Sequence, residues 1–299
     1  MPVSVNRPGP WTHRDVPANG ARFHVALAGP EPVGSDDVPL VVLLHGFPEC
    51  WWTWREVMPA LADAGHRVAA MDLRGFGGSD RPPSGYDLVT LARDVAGVAR
   101  SLGHTRAAVV GNGVGGQVSW VMPALERDLV CAIAPVAAPH PLALRSLRSR
   151  LLSGAALQYA GLKVPHLAER SLRTRTGMEK LLRAWTVPAT HARVLASAGY
   201  YAELVARPGA ARAAMETVRH SFLGRAEVEA LDAPVAVPVL SVQGELDPVT
   251  PAQAFARDTH RVSGHLHQAT VRGVGHFPQE EDPEALTAVL LPFLAETCG

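Results

Sequence analysis

The chain has 299 residues, 47% hydrophobic and 19% charged, and its 28 basic and 28 acidic side chains cancel. That is room for one large α/β domain with an insertion, or for two small domains. It excludes an intrinsically disordered chain, and it carries no net positive charge that would point to nucleic acid. No apolar run reaches the roughly 20 residues that a bilayer span needs.

The amino-terminal segment 1–17, MPVSVNRPGPWTHRDVP, lacks the apolar centre of a signal peptide, so a cytoplasmic protein is expected. Strand-like runs follow at Ala21–Ala28, Leu40–Leu44, His66–Met71, Arg106–Val110, Val130–Val136, Val237–Val242 and His267–Val271. Helical periodicity fills most of the gaps, at Trp51–Ala64, Leu88–Leu102, Val114–Arg127, Pro251–His260 and Pro283–Glu296. The alternation predicts an α/β protein with a mostly parallel sheet covered by helices on both faces, its site at the carboxyl ends of the strands.

Residues 141–231 break the alternation. They read as helical, Ala- and Arg-rich, and are interrupted at Gly161, Pro165, Gly177, Pro188 and Pro208. This predicts a helical cap inserted into a core made of residues 1–140 and 232–299. Residues 141–225 hold 14 Lys or Arg against 4 Glu and no Asp, leaving 14 basic and 24 acidic residues elsewhere. Such a basic insertion could steer an anionic substrate or an acidic carrier protein; a solvated basic helix face explains it equally well. Cys50, Cys131 and Cys298 are an odd number without metal-ligand spacing and read as reduced thiols. His260, His265 and His267 lack carboxylates at ligand spacing and read as solvated loop residues, so no metal is expected.

Chemistry concentrates in the loops. The segment RAAVVGNGVGGQVSW, 106–120, reads as a buried strand, a tight glycine-lined turn and a helix. That is the context of a nucleophile elbow, but the position that would carry the attacking side chain is Gly113, with Gly111, Asn112, Val114 and Gly115 around it. Further loops read HGFPECWWTWR at 45–55, MDLRGFGGSDRP at 71–82, APHP at 138–141, GELDPVTP at 244–251 and GVGHFPQEEDP at 273–283.

In order, spacing and wording these motifs resemble the α/β-hydrolase superfamily, specifically its epoxide-hydrolase-like branch, over nearly the whole chain. The resemblance implies an eight-stranded, mostly parallel sheet with an inserted cap and no cofactor. It places the backbone N–H groups of Phe47 and Val114 in an oxyanion hole, where losing one donor typically costs about 2.7–4 kcal/mol of transition-state stabilisation. It also makes Asp247 the acid that orients His276, and His276 the base.

Three departures from the family pattern shape the functional expectation. Glycine at 113 offers no attacking oxygen where an epoxide hydrolase uses aspartate. Val114 stands where the branch and the related dehalogenases usually place tryptophan, which argues against halide release. The two cap tyrosines that polarise an epoxide oxygen are not both present: the expected Tyr-Arg pair reads Val218 and Arg219, leaving Tyr159, Tyr200 or Tyr201 as candidate polar contacts. Trp51, Trp52 and Trp54 suggest aromatic bulk near the pocket mouth, with structural packing equally plausible.

Together these features lead to the expectation of an enzyme without a covalent step. Its His276–Asp247 dyad and oxyanion amides would serve hydration, elimination or cyclisation, as a lyase or cyclase, of a small hydrophobic metabolite, neutral or anionic. Two alternatives stay open: an epoxide hydrolase or esterase whose nucleophile was replaced by design, and a non-catalytic ligand-binding protein on a hydrolase scaffold. Substrate and oligomeric state are not legible in the sequence.

Overall fold

A computed structural model of the chain describes residues 3–31, 38–145, 166–220 and 223–298. The apolar runs assemble into one sheet of eight strands: β1 (Thr12–Ala18), β2 (Ala21–Ala28), β3 (Leu40–Leu44), β4 (Arg67–Met71), β5 (Ala107–Asn112), β6 (Val130–Val136), β7 (Val239–Gly244) and β8 (Leu266–Val271). Their order is β1-β2-β4-β3-β5-β6-β7-β8. The pairs β1/β2 and β2/β4 are antiparallel and all others parallel. Every residue of β3, β4 and β5 is buried, as both-face coverage by helices requires of continuous apolar strands.

Strand β1 had no counterpart among the seven runs read from the sequence. Its residues are mostly exposed, only Val16 is buried, and Pro17 lies within it. An edge strand can keep polar residues and a proline, so it leaves no apolar signature.

Helices α1 (Val57–Asp63), α2 (Leu88–Ser101) and α3 (Val114–Leu125) connect the strands, and a C-terminal helix (Pro283–Cys298) closes the chain. The Asp87 side chain caps α2 by accepting the Thr90 N–H at 2.8 Å. Two expected helices are shorter than their periodicity. The run 51–64 divides into a 3-10 turn at Trp51–Trp54, closed by the Arg55 N–H on the Trp52 carbonyl at 3.1 Å, and α1. The run 251–260 keeps only a helical turn at Ala252–Phe255 and a 3-10 turn at Asp258–His260. There Asp258 points inward, accepting the His140 N–H at 2.9 Å and the Ser241 hydroxyl at 2.7 Å.

After β6, helix α4 (Pro141–Arg145) leads into the insertion. Its described part comprises helices Leu167–Leu172, Arg175–Trp185, His191–Leu195, Ala198–Val205, Ala210–Arg219 and Arg225–Asp232, with no strand among the described residues. The strand order reverses beside β3, which pairs with β4 on one side and β5 on the other. At such a switch point the loops leaving neighbouring strands diverge and open a crevice. The loops after β3 and β5 carry Gly46, Phe47 and Gly113.

Candidate active site

The turn from β5 into α3 is built from close approaches that only glycine allows. A Cβ on Gly111 would stand 2.2 Å from the Gly115 carbonyl oxygen, and one on Gly115 would stand 2.5 Å from that of Leu44. Gly113 is different. Its backbone, at φ 52° and ψ −112°, lies where L side chains are strained, yet the space beside it is open. A Cβ there would meet His276 Nε2 at 3.4 Å and Gly46 Cα at 3.7 Å, with nothing else within 4 Å beyond its chain neighbours. The Gly113 N–H is donated to the Val136 carbonyl at 3.0 Å, which ties the turn to β6.

His276 and Asp247, in the loops after β8 and β7, are brought together at 2.9 Å between Nδ1 and Oδ2. Both side chains are almost fully buried. Asp247 Oδ1 accepts the Val249 and Thr250 N–H groups at 2.7 and 3.2 Å, so the carboxylate is fixed by its own loop. A carboxylate on Nδ1 selects the tautomer that carries its proton there and leaves Nε2 free to accept one. No protein group among the described residues hydrogen-bonds that Nε2, which faces the open position beside Gly113.

The two amides expected to serve as oxyanion donors, those of Phe47 and Val114, each follow a glycine at this space: Gly46, whose Cα would stand 3.7 Å from a Cβ on Gly113, and Gly113 itself. His45 is buried and shapes the first of them. Its Nε2 accepts the Leu73 N–H at 3.0 Å, so Nδ1 carries the proton and donates to the Gly46 carbonyl at 2.7 Å. Burial lowers the His45 pKa, keeping this ring neutral. Among the described residues neither the Phe47 nor the Val114 N–H is given to an acceptor. Val114 opens α3, where the first N–H groups have no partner within the helix and the helix dipole is positive.

Sequence reading missed the residues that hold His276. Asn112 Nδ2 donates to the His276 carbonyl at 2.9 Å, and the His276 N–H is given to the Trp185 carbonyl at 2.9 Å. The Trp185 ring stands edge-on to the imidazole at 5.4 Å. Glu281 accepts the N–H groups on either side of His276, from Gly275 at 2.9 Å and Phe277 at 3.0 Å. The QEE wording offered a weak signal for such a role, because a buried acid needs donors, but not which donors it would find.

The candidate cap contacts are placed elsewhere. Tyr159 lies outside the described residues. The Tyr200 hydroxyl donates to the Val5 carbonyl at 3.2 Å, and its ring lies under the Arg7 guanidinium at 4.5 Å. The Tyr201 hydroxyl donates to Glu280, which also accepts Arg55 at 3.1 Å. Both phenols are therefore engaged by protein groups rather than by the space beside His276. Val218 is buried, and Arg219 pairs with Glu216 at 2.7 Å and Glu169 at 3.3 Å. A small cavity between the loop after β3 and the cap is lined by Pro48, Glu49, Phe76, Tyr201, Leu204 and Ala214, and neither Gly113 nor His276 is among its lining residues. Burial, reinforced by Glu280, holds the Glu49 carboxyl well above the usual carboxylate range, so this wall is less charged than its sequence suggests.

Trp51 and Trp54 belong to the core, and Trp52 is half-buried against it. Trp51 and Trp54 are fully buried, Trp51 packs edge-on against Trp11 at 5.3 Å, and Trp52 stacks with the Arg7 guanidinium at 4.4 Å. His260, His265 and His267 are exposed, although His267 belongs to β8 rather than to a loop. Among the described residues no cluster of His, Cys, Asp or Glu could hold a metal ion, and no helix is long and apolar enough to cross a membrane. The three cysteines are free, with Cys131 and Cys298 Sγ 3.9 Å apart.

Comparison with known proteins gives the family of the fold. The family model described as alpha/beta hydrolase fold matches residues 39–283. The chain is 33% identical to epoxide hydrolase A of Mycobacterium tuberculosis, over 96% of this chain and 98% of that protein. It is 31% identical to epoxide hydrolase 3 of Xenopus tropicalis, over 93% of this chain and 76% of that protein. The crystal structure of epoxide hydrolase A from Mycobacterium thermoresistibile superposes with a TM-score of 0.77 at 28% identity, covering 95% of this chain and 98% of that one.

Proposed function

The chain belongs to the α/β-hydrolase fold family, and from that premise we propose that it is an epoxide-hydrolase-like enzyme working without a covalent nucleophile. One observation carries the reading. His276 Nε2 faces the position where a side chain at residue 113 would begin, 3.4 Å away, and the glycine there supplies no oxygen. A base so placed acts on a proton of water or of the substrate itself.

In the proposed step, Asp247 keeps the Nδ1 proton in place and stabilises the imidazolium that forms. His276 Nε2 takes a proton from water, or from a C–H or O–H of the substrate. The Phe47 and Val114 amides receive the negative charge that develops on the substrate oxygen. His276 then returns the proton to that oxygen or to a leaving group. The same parts serve hydration, elimination and cyclisation of a small hydrophobic metabolite. For an epoxide, the substrate named by the relatives, water would attack carbon directly. Its proton would pass to His276 and then to the ring oxygen, giving a diol with no ester intermediate.

The test uses a panel of aryl and alkyl epoxides. His276→Ala is expected to abolish turnover, and Gly113→Asp to leave it no higher. A single turnover in oxygen-18 water should place the label in the diol, whereas an enzyme-bound ester would deliver an unlabelled oxygen first. Undiminished turnover in the His276 variant, or diol unlabelled in the first turnover, would sink the reading.

A further inference from the structure

Glu281 is four per cent exposed and its carboxylate accepts four hydrogen bonds from two parts of the fold. Oε1 takes the Phe277 N–H at 3.0 Å. Oε2 takes the Gly275 N–H at 2.9 Å, the Thr190 hydroxyl at 2.7 Å and the Val187 N–H at 3.3 Å. The first two donors bracket His276; the last two belong to the cap segment that follows helix Arg175–Trp185. Among the described residues no cation pairs with this carboxylate, so its charge is met by donors alone.

Four backbone polar groups between Gly275 N and Phe277 N are thereby anchored around His276. Gly275 N and Phe277 N go to Glu281, the His276 N–H to Trp185 of the cap, and the His276 carbonyl to Asn112. Three of these anchors lead to the cap, one directly and two through Glu281. The room is also tight: a Cβ on Gly275 would stand 2.8 Å from the Trp185 carbonyl oxygen and 3.1 Å from Glu281 Oε1. The neighbouring Glu280 bonds Arg55 and Tyr201 instead, so proximity in sequence alone does not confer the role.

We propose that Glu281 is a positioning residue for His276, and that it transmits the position of cap segment 185–190 to the base. The proposal rests on His276 being the functional base. Its consequence is that a ligand displacing this part of the cap alters the His276–Asp247 hydrogen bond without touching either residue. A misplacement of about 1 Å at a reacting group is enough to cost on the order of 10²-fold in rate, so such coupling would gate the reaction.

The experiment reads His276 directly, by nitrogen-15 and proton NMR of the full chain, together with amide hydrogen exchange. Glu281→Gln replaces one acceptor by a donor facing N–H groups. Its amides at Gly275 and Phe277 are expected to exchange roughly tenfold faster or more, and the His276 Nδ1–H resonance bonded to Asp247 to shift or broaden. Thr190→Val removes only the cap hydroxyl and is expected to move the His276 resonance to a smaller extent. A folded Glu281→Gln protein with wild-type exchange and an unmoved His276 resonance would overturn the proposal. Should that variant fail to fold, Thr190→Val decides: shifts confined to its own neighbours would overturn the coupling. Because the resonance is read without turnover, a wrong catalytic reading and a wrong positioning role give different results.

Discussion

Replacing Gly113 and Gly115 by alanine separates two reasons for glycine in one turn. At position 113 the added Cβ meets nothing closer than 3.4 Å, so the cost is the backbone at φ 52°. For a residue with a Cβ such a conformation costs on the order of 1–3 kcal/mol. The smaller entropy of the unfolded alanine chain returns less than about 1 kcal/mol, leaving a net loss of roughly 1–2 kcal/mol. At position 115 the Cβ would stand 2.5 Å from the Leu44 carbonyl oxygen, 2.7 Å from Leu44 Cβ and 2.8 Å from the His45 carbonyl oxygen. These atoms belong to β3 and its turn and cannot rotate away. Alanine there forces α3 off the sheet, a cost of about 3 kcal/mol or more even after its better helix propensity. Urea unfolding followed by circular dichroism measures both. Gly113→Ala should shift the midpoint modestly at constant slope, and Gly115→Ala should shift it much further or fail to fold. An alanine at 113 that stabilises the protein, or that costs as much as one at 115, would refute the view of a strained but sterically open turn.

Three further outcomes follow from the site and its surroundings. Asp247→Asn removes the acceptor that selects the His276 tautomer and should lower turnover by about 10⁴-fold with the fold intact; retention of activity within tenfold would contradict the proposed role. Tyr201→Phe removes one donor from the buried Glu280 carboxylate and should cost about 1–3 kcal/mol in denaturant unfolding. The His140–Asp258 pair sets an acid response. Burial, reinforced by Arg261, takes His140 from 6.5 down to about 3, and burial takes Asp258 from 3.8 up to about 6. The depressed His140 contributes stability that is full above pH 6.5 and is lost as pH falls below it, about 2 kcal/mol by pH 5. Asp258 acts oppositely: its raised pKa returns stability as pH falls through 6, about 1 kcal/mol by pH 5. Between pH 7 and 5 the pair should therefore cost the native protein less than about 1 kcal/mol, and Asp258→Asn should raise that to about 2 kcal/mol. Unfolding curves at the two pH values check it, and identical losses in both proteins would count against the assignment.

Local pattern carried most of the fold. Seven of the strands are continuous apolar or alternating runs, and the turn at Gly111–Gly116 is legible because a strand and a helix cannot meet there with bulkier residues. The resemblance of the loop wording to the α/β-hydrolase family identified Gly113, Asp247 and His276 as candidates, all in loops after strands. Local reading failed at two places: β1 is polar because it is an edge, and the run 51–64 divides into a 3-10 turn and a helix that the apolar pattern alone does not separate.

What tertiary structure alone decided is which polar atoms meet. Asp247 and His276 are 29 residues apart, and only the pairing of β7 with β8 sets their 2.9 Å contact. Tyr200 and Tyr201 are adjacent in sequence and lie in the cap, yet their hydroxyls are taken by Val5 and Glu280, groups that no local rule brings near. Glu280 and Glu281 are indistinguishable by composition. One faces Arg55 and Tyr201, the other the amides around His276, because successive residues of a helical turn point about 100° apart into different surroundings. Sequence by itself determined the sheet, the elbow and the absence of a side-chain nucleophile at Gly113. Long-range packing determined whether a base faces that position and what holds the base there.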